Sequence, residues 1–291
     1  MPPDTLWGAD GGDIGMRYWG AAILLGLAAC QQQPKASPKP AKITFDGAQV
    51  TDAAALVAHG ARLTQVLGCK GCHTPALTGQ NIFDDAPQYG VMYAPNLTQF
   101  VPHHSDAQIE AVLRRGIEPT RKDLWGMPSS VFQNLSSDDM RSLFAYLRSL
   151  RPAGEPSPPP RLSALAKKQF IDTGQVKPEA QAVVEARLKP AIDLGPSYAL
   201  GRYITSVTCA ECHGSDLTGT KDVEPGLNSP NLIVVGGYTR ADFERLMMTG
   251  VPVGGRKLRL MDEIARHRFS RMTPHERDAL YAYLKARAER P

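Results

Sequence analysis

Cys-x-x-Cys-His occurs twice in this 291-residue chain, as Cys69-Lys70-Gly71-Cys72-His73 and as Cys209-Ala210-Glu211-Cys212-His213. In each copy two thiols three residues apart fall on one side of a helical turn. From there they can add to the two vinyl groups along one edge of a haem, while the adjacent histidine points an imidazole nitrogen at the iron. This spacing is the signature of covalent c-type haem attachment. The chain is therefore expected to carry two covalently bound haem c groups, one on Cys69 and Cys72 and one on Cys209 and Cys212, with His73 and His213 as axial ligands. A structural zinc site needs four ligands, and each copy brings only three close together. A thioredoxin-like dithiol needs a βαβ surround that the chain does not show.

Four of the five cysteines are thus assigned, and no pair is left for a disulfide. The fifth, Cys30, closes the apolar run Ile23-Leu24-Leu25-Gly26-Leu27-Ala28-Ala29. That run is too short to span a bilayer but suits the apolar segment of a signal peptide. Leu27-Ala28-Ala29-Cys30 followed by Gln31 resembles a bacterial lipobox, in which Cys30 becomes the lipidated N-terminus and residues 1–30 form the signal region. Met16-Arg17 makes a compact, positively charged start, so translation is expected to begin at Met16. Three acyl chains exceed what stable membrane anchoring needs. The lipobox resemblance implies export, and the expected location is the periplasmic side of the cytoplasmic membrane.

From Cys30 onward there are 32 basic and 26 acidic residues, a net charge of +6. Four ionised haem propionates would reduce this to about +2. Such a balance excludes a nucleic-acid footprint.

The chain divides at two Pro-rich breaks. Residues 31–43 are a polar, Pro/Lys-rich tether, and Arg151-Pro152-Ala153-Gly154-Glu155-Pro156-Ser157-Pro158-Pro159-Pro160 opens a second break that is expected to be stiff and extended. The pattern on one side of this break recurs on the other. Gly60, Leu63 and Val66 approach the first motif as Gly201, Ile204 and Val207 approach the second. Leu77-Thr78-Gly79 matches Leu217-Thr218-Gly219, and Pro95-Asn96-Leu97 matches Pro230-Asn231-Leu232. Middle helices are expected from Ser105 to Gly116 and from Thr239 to Gly250. Closing helices follow the capping boxes Ser136-Ser137-Asp138-Asp139 and Thr273-Pro274-His275-Glu276. The fold expected is all-α, with domains at 44–150 and 195–291 joined by residues 151–194. Within that connection Leu162 to Phe170 and Glu179 to Leu188 read as helical and should pack between or across the domains.

On Pro95-Asn96-Leu97-Thr98, the helix ending at Gly116, Met127-Pro128, Leu143 to Leu150 and their second-half counterparts, the chain resembles tandem class I cytochrome c domains. In particular it is similar to the cytochrome c subunits of bacterial membrane-bound alcohol and aldehyde dehydrogenases. The resemblance implies a methionine as second axial ligand, from a loop before each closing helix. Met127 fits the first half, with Met92 as competitor. Met261 fits the second, with Met272 or His267 as alternatives, because neutral histidine is also a competent ligand. It further implies that the Pro95 and Pro230 carbonyls hold the proximal histidines, although a simple turn would equally explain these prolines. Arg114, Arg115, Arg121 and Lys122, or Arg256, Lys257 and Arg259, are candidates to meet propionates.

The function expected is that of an electron-transfer protein rather than an enzyme. It would pass single electrons between a dehydrogenase or quinol-oxidising complex and a terminal oxidase or soluble cytochrome. One alternative is an electron-transfer subunit of a periplasmic dehydrogenase. Another is a dihaem enzyme, peroxidase-like or thiosulfate-oxidising, which would need an open or unusual sixth iron position.

Overall fold

The first helix begins at Asp52, whose side chain accepts the backbone N–H of Ala55, and runs Ala53–Val66. The computed structural model describes residues 42–121, 123–223 and 226–290. Cys30, Lys122 and most of the tether lie outside these residues. Leu63, Val66 and Leu67 turn inward and are buried, and on the same helix Gly60 meets the closing helix Ser137–Ser149. A Cβ on Gly60 would lie 2.0 Å from the Ser142 carbonyl oxygen, so only glycine lets the two backbones cross this closely. The second half repeats the crossing. Gly201, in the opening helix Ala199–Ile204, meets the closing helix Pro274–Ala288, where a Cβ would lie 2.2 Å from the Ala279 carbonyl oxygen.

Middle helices Asp106–Arg115 and Arg240–Thr249 complete each half. Ser105 caps the first in a full capping box with Gln108, Thr239 caps the second, and Gly116 and Gly250 end them. Apolar residues at helical spacing, such as Ile109 with Leu113 and Phe243 with Leu246 and Met247, face a buried cluster that runs through both halves. The protein is all-α, and the strands among the described residues are two short antiparallel pairs. Gln80–Asn81 pairs with Tyr93–Ala94, and Gly90–Val91 pairs with Arg161–Leu162. No helix among the described residues is long and apolar enough to cross a membrane.

The two halves are locked by the third residue of each closing helix. Asp139 is fully buried and accepts from the Phe45 amide, His59 Nε2, the Ser136 hydroxyl and the Tyr203 hydroxyl. Glu276 is equally buried and accepts from the Asp46 amide, the Thr273 amide and both terminal nitrogens of Arg62. Arg62 and Tyr203 each stand two residues after the crossing glycine of their own opening helix. Each half therefore reaches the helix cap of the other, and the adjacent amides of Phe45 and Asp46 serve one cap each. The expected capping box at Ser136 is corrected by this arrangement. Ser136 does accept the Asp139 amide, but its own N–H goes to the Tyr203 hydroxyl at 3.0 Å because the Asp139 carboxylate is drawn into the contact between halves.

The start of the connection, residues 153–157, lies against the first half. Asn96 donates to the carbonyls of Ala153 and Glu155, its amide donates to Ser157, and Gln99 donates to the Gly154 carbonyl. Farther on, the helix Glu179–Arg187 packs on the short helix Ser129–Phe132. In the second half, the segment expected as a ligand loop is instead the helix Leu260–His267. Asp262 and Glu263 in its first turn and Arg266 and His267 in its last complement the helix dipole.

Gly60→Ala and Gly201→Ala should each destabilise the protein by about 3 kcal/mol, since backbone rather than a flexible side-chain end blocks the new methyl. Gly237→Ala, which meets nothing within 4 Å, should change stability by less than about 0.5 kcal/mol. Thermal unfolding of the three variants checks this. Equal losses at all three positions would refute the crossing argument.

Candidate functional site

Each cysteine motif follows directly from its opening helix. In the first half Gly68, at φ 82°, bends the chain out of the helix and into the turn Cys69–Cys72. In the second, the helix continues through a wider turn, Thr205–Cys209, into Ala210–His213. The chain then folds back in the same way in both halves. The Gly79 and Gly219 amides donate to the carbonyls of His73 and His213, and the Leu97 and Leu232 amides donate to the carbonyls of Leu77 and Leu217. Leu77 and Leu217 share a left-handed backbone and complete burial.

This return loop carries a proline carbonyl to each histidine. His73 Nδ1 donates to the Pro95 carbonyl at 2.7 Å, and His213 Nδ1 donates to the Pro230 carbonyl at 2.8 Å. A bond of this kind fixes the tautomer and leaves the Nε2 lone pair for a metal. Burial holds both imidazoles below the usual histidine pKa and so favours their neutral form. Burial also pushes the Cys69 thiol up to about 11 and raises Cys72 and Cys209.

In the second half Cys209, Cys212, His213 and Met261 line one cavity of about 450 Å³. Its remaining walls are largely apolar, with Leu246, Phe269 and Leu284 among them, and Arg256, Lys257 and Arg259 stand at its edge. Two thiols, a neutral imidazole, a thioether, apolar walls and a few cations are the donor set that a covalently held haem with two propionates requires. Met272, the alternative ligand, is 3% exposed and packs in the core, and neither it nor His267 lines this cavity. In the first half Met127 is partly buried against the core, and its carbonyl accepts the Ser129 amide. The Met92 methyl lies beside Gly126, so both methionines considered for this half reach the same loop. Arg114 is committed elsewhere, to Glu110 and to the carbonyls of Gln133 and Leu135, which leaves it unsuited to a propionate. Among the described residues, no three His, Cys, Asp or Glu side chains gather as a zinc cluster would.

Glu179 was not legible as a site residue. It lies in the connection, far in sequence from Met127, yet its backbone amide donates to the Leu124 carbonyl at 2.9 Å. Its carboxyl lies against the amides of Gly126, Ser129 and Ser130, which flank Met127 and Pro128. Burial pushes this carboxyl up to about 7 from 4.5. A raised carboxyl pKa means that the folded state binds the proton more tightly than the unfolded state, so stability should fall as pH rises from about 4.5 to about 7. Glu179→Gln should remove that slope, as thermal unfolding across this range would show. Met261→Ala should alter the spectrum of the second-half haem alone, whereas Met272→Ala should leave the spectra unchanged and cost about 2–5 kcal/mol of stability. Optical spectra and unfolding curves of the two variants, compared side by side, check the distinction.

The cytochrome c family profile matches residues 57–151 and 198–288. The cytochrome c subunit of a quinone alcohol dehydrogenase from Gluconacetobacter polyoxogenes is 30% identical over 126 residues, covering 40% of this chain and 27% of that protein. The fructose dehydrogenase cytochrome subunit of Gluconobacter japonicus is 22% identical over 261 residues, covering 79% of this chain and 52% of that protein. The corresponding alcohol dehydrogenase subunit of Gluconobacter oxydans (strain 621H) is 25% identical over 234 residues, 75% of this chain and 45% of that protein. The chain thus spans about half or less of the length of these relatives. With the paired motifs, the histidine–proline bonds and two matched regions in place, the chain belongs to the cytochrome c family, electron-transfer proteins that hold haem covalently.

Proposed function

We propose that the protein is a dihaem c-type cytochrome that carries single electrons at the periplasmic face of the cytoplasmic membrane. The observation that carries this reading is the repeated histidine–proline carbonyl bond, 2.7 Å in one half and 2.8 Å in the other, behind each Cys-x-x-Cys pair. Cys69 and Cys72 hold one haem, Cys209 and Cys212 the other. His73 with Met127, and His213 with Met261, are the axial pairs. Haem supplies one-electron iron chemistry, and thioether ligation favours the reduced state and raises the potential. The protein's own part is to keep both imidazoles neutral and oriented, to surround the second haem with apolar walls, and to place cations at its rim.

Lipidation of Cys30 would anchor the chain, with the tether giving the folded body reach from the membrane. The donor is a dehydrogenase or quinol-oxidising complex, and the acceptor is an oxidase or soluble cytochrome. The names of the relatives favour a dehydrogenase donor, since those proteins are cytochrome subunits of alcohol and fructose dehydrogenases. The chain then acts as the electron-transfer member of such a complex.

Full-length protein purified from membranes in mild detergent should have the mass of two covalent haems and two low-spin His/Met resonance signatures when oxidised. Cys30→Ser should release it to the soluble fraction with both haems retained. A one-haem mass would refute the dihaem assignment, a high-spin or bis-histidine centre the ligand assignment, and unchanged membrane retention of Cys30→Ser the anchor.

A further inference from the structure

An ion pair between a buried arginine and a more exposed glutamate joins the two motifs and belongs to neither ligand set. Arg268 follows the helix Leu260–His267 and is only 8% exposed. Its Nε and Nη2 donate to the carbonyls of Val66 and Leu67, at 3.2 and 3.1 Å, where the first opening helix ends just before Cys69. Its Nη1 donates to Glu211 at 2.8 Å, and Glu211 is the residue immediately before Cys212. The guanidinium also packs on Gly68, where a Cβ would lie 2.6 Å from its central carbon. Arg268 is in addition part of the wall of the cavity that contains His213 and Met261. One side chain therefore touches the approach to the first motif, the body of the second motif and the second pocket.

Burial opposes the charge of Arg268 and the Glu211 carboxylate beside it favours that charge, with the balance on the charged side. The pair acts electrostatically on both motifs. Arg268 influences Cys69, Cys72 and Cys209, and Glu211 influences Cys69 and Cys72. The helix carbonyls that Arg268 caps would otherwise be unsatisfied ends, so the guanidinium also has a local structural task.

We propose that Arg268 and Glu211 are a charge-balanced link between the haem centres, each residue holding back the shift in both reduction potentials that the other alone would cause. The proposal rests on the dihaem reading. When an electron passes between the centres, one is oxidised, the other is reduced, and no proton need move. Reduction adds one negative charge at a centre, so the guanidinium favours it and the carboxylate opposes it. Paired, the two charges largely cancel, and the effect of either shows only when its partner is removed. A unit charge about 10 Å from a centre, at an effective dielectric near 20, changes the reduction equilibrium roughly tenfold.

Spectroelectrochemical titration of the full-length holoprotein tests the link, with haem content measured by mass and axial ligation by optical spectrum. Arg268→Gln should lower the midpoints of both centres and Glu211→Gln should raise them, each by about tenfold in equilibrium constant, or roughly 59 mV for one electron. The double variant should return close to the parent protein, and Arg268→Lys should retain most of the potential. A purely structural role predicts loss of stability without shifts of opposite sign. Shifts in the same direction, or none, in variants that keep both haems would overturn the proposal. If Arg268→Gln does not accumulate, the sign of the Glu211→Gln shift decides alone. A parent protein with a single haem would instead overturn the dihaem reading, which is a separate result.

Discussion

Glycine at the crossing of the opening and closing helices is the contact on which the remaining architecture depends. At Gly60 and at Gly201 the backbone of one helix lies directly on the backbone of the other, with no side chain between them. That contact fixes where the opening helix ends, and each Cys-x-x-Cys-His begins at that end. Moving the crossing apart by the width of a methyl group would shift both thiols and the histidine relative to the loop that supplies the proline carbonyl. Around this crossing, Leu63, Val66, Leu143 and Leu147 in the first half, and Ile204, Val207, Leu280 and Leu284 in the second, bury the apolar surface that drives folding. Each such fully buried side chain contributes about 1.5–3 kcal/mol.

The two halves are then held to one another by polar groups placed where water cannot compete. Asp139 and Glu276 occupy equivalent positions in their closing helices, and each accepts from the opening helix of the opposite half. Removing either carboxylate would leave several buried donors without partners, a loss of about 3–5 kcal/mol when a charge is stranded. The arrangement is reciprocal, although the partners differ: a tyrosine hydroxyl on one side and a bidentate arginine on the other. Phe45 and Asp46 close the system by giving one backbone amide to each carboxylate. The segment that enters the folded body from the tether thus becomes part of the contact between the halves.

Electrostatics at the site follow from burial more than from neighbouring charge. Desolvation favours the neutral form of the histidines, which suits them to ligation, and pushes the Cys69 thiol up. The exception is the Arg268–Glu211 pair, in which a buried guanidinium is met by a carboxylate that keeps contact with solvent. Such a pair adds little to stability compared with an apolar filling. Its place between the motifs, with the guanidinium buried, is what the proposed redox effect rests on.

The sequence alone determined whatever rests on local spacing. The two Cys-x-x-Cys-His motifs, the N-caps at Ser105, Thr239 and Thr273, and the stops at Gly116 and Gly250 are each set by a few consecutive residues, and duplication made the pattern readable twice. The tertiary structure decided the rest, because the partners lie far apart along the chain. Only folding shows that Tyr203 takes the Ser136 amide, that the segment bearing Met261 is a helix and lines the cavity while Met272 does not, and that Glu179 reaches the Met127 loop from the Pro-rich connection. The pairing of Arg268 with Glu211 is of the same kind, since two charges of ordinary appearance in the sequence acquire their meaning from the place between the motifs where folding brings them together.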